Sequence, residues 1–289
     1  ATDPDADRFG TAFPDKDGKF VLVSGNQMGA LLCEYILLSR KELGLMPKNP
    51  AAIRSIVTSP FCDYICSKFG VKMHECLTGF KWIAAVEDEF EKSGSENYVF
   101  GLEESYGYKV EKEVMDKDGV SAAAICAEMT LYWASQGKSI LEHLNDMWKE
   151  YGFFEDRSIS QNFPGSAGKE TMAGIMSKLR TEGLSTLGGK NVVEIKDIQE
   201  SVTFNPSSPS EKKPLDLPKS NVIQFVLEGG TIVSARPSGT EPKIKFYINA
   251  RTEVAGAKCD GCLENAKKMS GELCDRISQD IKNMLNEAL

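Results

Sequence analysis

The sequence predicts an α/β domain, with a mixed, largely parallel sheet and helices on both faces, followed by an α+β domain with an antiparallel sheet and helices on one face. Three features predict this. From Lys19 to Gly101, short β-like runs alternate with helix-length segments, the pattern of a sheet joined by helical crossovers. From Asn221 to Ala250, three β-like runs follow one another with only short connections. A long amphipathic stretch, about Cys262–Leu289, then supplies an apolar face to cover that second sheet. At 289 residues the chain is long enough for two cores.

In the first unit Lys19–Ser24 reads as a strand and Gln27–Leu43 as a helix with a long apolar face. Ala52–Ser59 is a strand, Phe61–Phe69 a helix opened by Pro60, Val71–Leu77 a strand, Phe80–Lys92 a helix and Glu96–Gly101 a strand. Helices near Val120–Gln136 and Lys138–Tyr151 complete it. The second unit starts near Phe153, with a short strand at Arg157–Asn162 and a helix at Lys169–Arg180. Phe204–Ser220 is polar and rich in Pro and Ser, which reads as an exposed loop or linker. The strands Asn221–Leu227 and Thr231–Ala235 are joined by a Glu228-Gly229-Gly230 turn, and Lys243–Ala250 follows. In that last strand Ile244, Phe246 and Ile248 share one face, and Lys243, Lys245 and Tyr247 the other. No internal repeat is visible at a fixed period.

The composition, 41% hydrophobic and 26% charged, is that of an ordinary globular protein. A formal net charge of −8 disfavours nucleic acid and anionic lipid as partners. The longest apolar stretch, Met28–Leu38, is broken by Glu34 and Tyr35 and is too short to span a bilayer, so no membrane association is expected. Residues 1–15 are acidic and lack the pattern of a signal peptide. Most of the eight cysteines sit in apolar contexts, which suits reduced structural thiols and a cytoplasmic location. The Cys259-Asp260-Gly261-Cys262 pair is a candidate for redox or metal chemistry. It lacks a second ligand pair, and His74 and His143 are remote in sequence, which argues for structural cysteines over zinc.

Chemistry-bearing residues cluster in a few short segments. In Asp3-Pro4-Asp5-Ala6-Asp7-Arg8, an extended backbone would turn the three carboxylates Asp3, Asp5 and Asp7 to one side. Oxygen donors without His or Cys select a hard divalent cation such as Mg²⁺; the alternative is an acidic solvated turn. An EF-hand fails, because that loop needs Gly and Glu where this chain has Arg8 and Pro14. Gly101-Leu102-Glu103-Glu104-Ser105-Tyr106-Gly107 follows an apolar strand, where open α/β sheets bind ligands. Carboxylate and hydroxyl together suit sugar hydroxyls, though such a loop also reads as solvated polar surface. Arg236-Pro237-Ser238-Gly239-Thr240 combines a bidentate guanidinium, two hydroxyls and a glycine, the makings of an anion nest or of a plain β-turn. Lys243 and Lys245 add positive potential there, and Lys117-Asp118-Gly119 offers another cation or a surface turn.

These segments, in this order and at these separations, resemble the α-D-phosphohexomutase family over essentially the whole chain. DPDADR resembles its metal-binding loop, GLEESYGY its sugar-recognition loop and RPSGT its phosphate-binding loop. Ser-Gly-Asn-Gln-Met-Gly-Ala at 24–30 is similar to the start of the family's third domain. Leu77-Thr78-Gly79-Phe80-Lys81-Trp82-Ile83 is similar to a loop near the sugar. That loop and Glu-Glu-Ser favour phosphoglucomutases over the phosphomannomutase-like branch, which reads GEMSGH; Leu102 replaces a more usual aromatic residue.

The resemblance implies that residues 1–15 end a second domain, that 16–152 form a third and that 153–289 form a fourth. It implies that Asp3, Asp5 and Asp7 hold Mg²⁺ and that Arg8 is catalytic, touching the transferring phosphate. Thr78, Gly79, Glu103 and Ser105 would meet the sugar. Arg236, Ser238, Gly239 and Thr240 would clamp the other phosphate, with Lys117 helping. The family's phosphoserine segment, similar to Thr-Ala-Ser-His-Asn-Pro, is not found here, so the partner expected is an N-terminal half of the same protein. The substrate expected is a hexose phosphate passing through a hexose bisphosphate, with the 289 residues alone lacking turnover. Phosphomannomutase, phosphopentomutase and a non-catalytic sugar-phosphate-binding module are the alternatives.

Overall fold

The computed structural model describes residues 1–163, 167–239, 241–256 and 259–287. The backbone divides into two units, Ala1–Tyr151 and Gly152–Leu289.

Unit 1 runs β1 (Thr11–Pro14), β2 (Phe20–Val23), α1 (Gly25–Glu42), β3 (Pro50–Ser55), α2 (Phe61–Phe69), β4 (Lys72–Cys76), α3 (Phe80–Ser93), β5 (Asn97–Glu103), β6 (Gly107–Lys109), α4 (Gly119–Ser135) and α5 (Ile140–Tyr151). Its main sheet has the order β4-β3-β5-β6. β3 runs parallel to β4 and β5, and β6 folds back antiparallel onto β5. Ala51, Ile53 and Tyr98 form one cluster with Phe80, Ile83 and Phe90, so α3 covers that face. α1, packed on α2, covers the other: Leu102 abuts its Gly29 while the adjacent Gly101 abuts Ile83 of α3.

α1 begins with a capping box. The Ser24 hydroxyl accepts the Gln27 N–H at 3.3 Å, and the Gln27 side chain accepts the Ser24 N–H at 3.0 Å, which starts the helix two residues before the expected Gln27. The strand expected at Lys19–Ser24 forms, but outside the parallel sheet. As β2 it pairs only with β1, in an antiparallel ribbon that leaves Phe20 and Leu22 exposed. A tight turn explains this: the Asp15 carboxylate accepts the Asp17 and Lys19 N–H groups and folds the chain back directly.

Unit 2 runs β7 (Phe153–Asn162), α6 (Ala167–Thr181), β8 (Thr186–Leu187), β9 (Lys190–Asp197), β10 (Val202–Phe204), β11 (Lys213–Pro214), β12 (Ile223–Leu227), β13 (Ile232–Pro237), β14 (Lys243–Thr252) and α7 (Asp260–Glu287). The sheet is antiparallel, in the order β11-β10-β9-β12-β13-β14-β7, with β8 hydrogen-bonded to β9. Met172, Ile175 and Leu179 of α6 and Leu273, Ile277 and Ile281 of α7 share one core with Phe225, Val233, Ile244, Phe246 and Ile248. Both helices therefore lie on one face, the face expected for Ile244, Phe246 and Ile248.

The sequence pattern missed β9 for a physical reason. The register against β12 shifts between Val226 and Leu227, which pair with Glu194 and Val192, so Val193 bulges outward. Val192 and Ile195 then both point into the core although three positions apart, and the alternation that marks a strand is lost. Residues 204–220 form mostly loop, but β11 within them joins the sheet edge. Among the described residues no helix is long and apolar enough to cross a membrane.

Unit 1 also holds a fully buried ion pair. Lys109 on β6 and Glu87 on α3 meet at 2.8 Å, and the ammonium lies 4.4 Å from the centre of the Tyr98 ring. Burial pushes the Glu87 carboxyl up, with Lys109 pulling the other way. Removing one partner strands a charge, whereas removing both does not. Lys109→Ala is expected to lower stability by about 3–5 kcal/mol in urea denaturation, and the Glu87→Leu/Lys109→Met pair to recover most of it. An unchanged urea midpoint in Lys109→Ala would show that the pair has no such role.

Candidate functional site

The parallel strands of unit 1 end together, and their carboxyl ends carry the polar loops. β3 leads into 56–60, β4 into 77–79 and β5 into 104–106. This is the edge of an open α/β sheet at which ligands bind.

The loop after β3 is anchored by Arg54, only 2% exposed. Its guanidinium grips Asp63 of α2 through Nε and Nη2 at 2.6 and 2.7 Å, meets Glu75 of β4 at 2.9 Å, and donates to the carbonyls of Ser55 and Thr58. Burial works against its charge, but Asp63 and Glu75 outweigh it and raise its pKa. The Ser55 and Thr58 hydroxyls, fixed in this way, both donate to Glu104 Oε2 at 3.3 Å. Glu104 Oε1 in turn accepts the Ser105 hydroxyl at 3.1 Å. Asn26, at the start of α1, accepts the Ser59 N–H at 3.1 Å. Glu104, Ser55, Thr58, Asn26 and Arg54 were not among the residues singled out from sequence. Glu104 stood inside the recognised loop, whereas Arg54 had no local signal because its partners come from two other elements.

Glu103 is buried and accepts the Gly79 N–H at 2.5 Å, which ties the 77–79 loop to the end of β5. The Thr78 hydroxyl beside it is buried without a hydrogen-bond partner among the described residues, a group that calls for a ligand or water. Cys76 is pushed up to about 12 by burial and by the Glu103 charge, so its thiol stays protonated.

The three carboxylates Asp3, Asp5 and Asp7 converge, with one ligand oxygen of each within 4.8 Å of the others. The means differ from the expected extended alternation. Residues 4–6 form a turn in which the Ala6 N–H bonds the Asp3 carbonyl at 3.0 Å and Ala6 takes φ 58°. An extended chain is excluded because Asp3 also accepts the Arg8 N–H at 3.1 Å, folding the segment on itself. The loop is not frayed. Arg8 bridges Gly107, Phe9 N–H bonds the Tyr106 carbonyl, and Gly119 N–H bonds the Ala6 carbonyl. At Gly119 a Cβ would lie 2.7 Å from that carbonyl, so only glycine lets α4 approach.

Arg8 Nε lies 3.7 Å from both Asp3 and Asp7, and Lys117 Nζ lies 2.9 Å from Asp7. Lys117 thus sits on the acidic loop. Partial burial opposes its charge, but the Asp7 hydrogen bond and the Asp116 and Asp7 charges hold it above its ordinary pKa. Desolvation pushes Asp3 up, yet the Arg8 N–H and guanidinium hold it below the usual carboxylate range. Asp7 Oδ1 is buried and lacks a hydrogen-bond partner among the described residues. Three converging carboxylates with an unsatisfied buried oxygen fit a hard divalent cation.

In unit 2, Arg236 and Pro237 end β13, and Lys243 opens β14. Ser238 N–H bonds the Lys243 carbonyl at 2.8 Å, and its hydroxyl accepts the Glu241 N–H at 3.2 Å. Glu241 also pairs with Lys243, whose hydrogen bond and charge hold its carboxyl low. Gly239 is exposed, and Thr240 lies outside the described residues. Arg236 stands directly opposite Lys245 across the strand pair, on the face away from the core, and its side chain forms no hydrogen bond or ion pair with a described residue. Like charges so placed repel, and a bound anion would offset the cost.

The fold has a family counterpart. The chain belongs to the phosphoglucomutase/phosphomannomutase family: residues 24–151 match its alpha/beta/alpha domain III and residues 178–263 its C-terminal domain. Its curated relatives include the phosphoglucomutase of Staphylococcus haemolyticus, 32% identical over 253 residues, and that of Staphylococcus aureus, 34% identical over 255 residues. These alignments cover 88% and 87% of this chain but 45% and 44% of the relatives, so the chain spans less than half their length. The parafusin (phosphoglucomutase) of Paramecium, in an open form, shares the fold with TM-score 0.59 at 21% identity, over 96% of this chain and 45% of that one. A phosphoglucomutase/phosphomannomutase family protein of Burkholderia thailandensis gives 0.52 at 14% identity, over 94% and 46%.

Asp118 caps α4 beside this site, its carboxylate accepting the Val120 N–H at 2.9 Å. Desolvation raises its pKa, but the Ser121 and Val120 hydrogen bonds prevail and hold it below 3.8. A depressed carboxylate stabilises the fold above its unfolded pKa and loses that contribution as pH falls through the folded value. Asp118→Ala is expected to cost about 1 kcal/mol at neutral pH. The wild-type advantage should shrink on acidification below 3.8, read from urea midpoints at both pH values. An equal loss at both would rule out the charged cap.

Proposed function

We propose that this chain is the C-terminal part of a phosphoglucomutase, an isomerase that moves a phosphoryl group between C1 and C6 of a hexose phosphate through a hexose bisphosphate. The convergence of Asp3, Asp5 and Asp7, with an unsatisfied buried oxygen on Asp7, carries the reading. It is supported by relatives that are themselves phosphoglucomutases. The phosphoserine that carries the phosphoryl group belongs, in this proposal, to an N-terminal half of the same protein, and residues 1–15 to the end of its second domain.

Asp3, Asp5 and Asp7 hold Mg²⁺, which when bound offsets the negative charge that develops on a phosphoryl group in transfer. Arg8 neutralises the transferring phosphate, and Lys117, 2.9 Å from Asp7, orients that carboxylate. Glu103, fixed by Gly79, meets the sugar hydroxyls as a carboxylate, and Thr78 and Ser105 offer hydroxyls. Ser105 is aimed by Glu104, and Glu104 by Ser55 and Thr58. Arg236 clamps the non-transferring phosphate, with Ser238, Gly239 and Thr240 closing around it. The work is positioning and electrostatics.

Calorimetry with glucose 6-phosphate tests the clamp. Arg236→Ala is expected to weaken binding by about 1.5–3 kcal/mol, the worth of charged hydrogen bonds to phosphate. Affinity equal to wild type would reject it. For the metal, Mg²⁺ titration should give heat that Asp7→Asn abolishes; full retention would take Asp7 out of the ligand set.

A further inference from the structure

Cys259 and Cys262 remain outside everything described above. They are the cysteines that burial does not protect: Cys33, Cys62, Cys66, Cys76, Cys126 and Cys274 are buried, whereas Cys259 is exposed and Cys262 half-exposed. Neither belongs to the apolar core of unit 2, which Cys274 does join. Cys259 is the residue just before α7, a helix of 28 residues, and its carbonyl accepts the N–H groups of Cys262 and Leu263. Cys262 stands in the first turn of that helix, its N–H bonded to the Cys259 carbonyl at 3.1 Å, so the two accessible thiols sit one turn apart at the same helix end. The residue beside the pair is Gly261, where even a methyl group would lie 3.7 Å from the Cys259 sulfur, and glycine leaves that sulfur open to an incoming molecule.

From this geometry we infer that Cys259 and Cys262 form a redox-active dithiol that exchanges with small disulfides, Cys259 being the attacking sulfur and Cys262 the resolving one. The Cys262 thiol and the helix N–H groups hold Cys259 below the ordinary thiol range, whereas its own bond to Cys259 raises Cys262. That is the asymmetry an attacking and a resolving thiol require. A metal reading is weaker, because among the described residues the groups placed to hold an ion reduce to Asp3, Asp5 and Asp7.

The exchange balances as follows. The Cys259 thiolate attacks one sulfur of a disulfide R–S–S–R, forming Cys259–S–S–R and expelling one R–S⁻. Cys262 then gives up its proton and attacks the Cys259 sulfur, forming the Cys259–Cys262 bond and expelling the second R–S⁻. The protein loses two electrons and two protons, and the small disulfide leaves as two R–SH.

The test uses the 289-residue chain incubated with oxidised glutathione, quenched in acid and mapped by peptide mass. The wild type should lose two hydrogens at the Cys259–Cys262 peptide while the buried cysteines stay reduced. Cys262→Ser should stop at a single glutathione adduct on Cys259, and Cys259→Ser should react at least several-fold more slowly at Cys262. Iodoacetamide at neutral pH should alkylate wild-type Cys259 several-fold faster than free cysteine. Adducts spread evenly over the cysteines, a wild type that stops at the mixed disulfide, or Cys259 alkylation no faster than free cysteine would each overturn the assignment. Circular dichroism of both serine variants, expected to match wild type, separates lost chemistry from lost fold.

Discussion

The buried guanidinium of Arg54 is the interaction on which the unit 1 site depends. It stands on β3, between β4 and β5, and its partners lie on α2, on β4, at the end of its own strand and in the loop that follows. A buried cation with two carboxylates and two carbonyls is tolerable because every bond is charge-assisted and nearly every donor is used. The arrangement fixes where Ser55 and Thr58 emerge, and through them the carboxylate of Glu104 and the hydroxyl of Ser105. The 104–106 loop is thus held from beneath by a network that an apolar core of the same volume would not supply. Glu104 illustrates the cost of reading a motif by its outer residues: it is the hinge between the scaffold and the loop.

Much of this was legible in the sequence because the chemistry is concentrated in short contiguous segments. DPDADR carries its three carboxylates within five residues, so their convergence follows from almost any compact conformation, and the error about an extended backbone did not move the carboxylates apart. The alternating strand and helix pattern likewise survived, since β3 and β5 are buried runs and Gly70 and Gly79 stand on either side of β4. What stayed hidden depends on residues distant in sequence. Arg54 and Glu75 are 21 positions apart, Glu34 and His143 109 apart, and nothing local pairs them. β9 was hidden for the opposite reason: a single bulge at Val193 breaks a local pattern that is otherwise present.

Unit 2 follows a different logic. Its core face is saturated with buried aliphatic and aromatic side chains from five strands and both helices, while its other face holds polar pairs such as the buried Gln224 with Ser234 and the partly buried Asn249 with Asp156. Those pairs set register, because a one-residue slip would turn amides into the core. Register is what places Arg236 opposite Lys245 where β13 ends and β14 begins. The cationic rim therefore results from sheet geometry, and Pro237 at the end of β13 marks where pairing ends.

The start of α1 bears on the same loop from another side. A Cβ at Gly25 would lie 2.0 Å from the Glu104 carbonyl oxygen, and the Tyr108 hydroxyl already bonds the Gly25 carbonyl at 3.1 Å. In mechanical terms the 104–106 loop has almost no compliance of its own. It rests on the end of an 18-residue rod, so a displacement of that rod is transmitted to the loop without attenuation, and a displacement of the loop must be absorbed by the rod. A small residue at one helix end thereby ties the position of the loop to that of the whole helix.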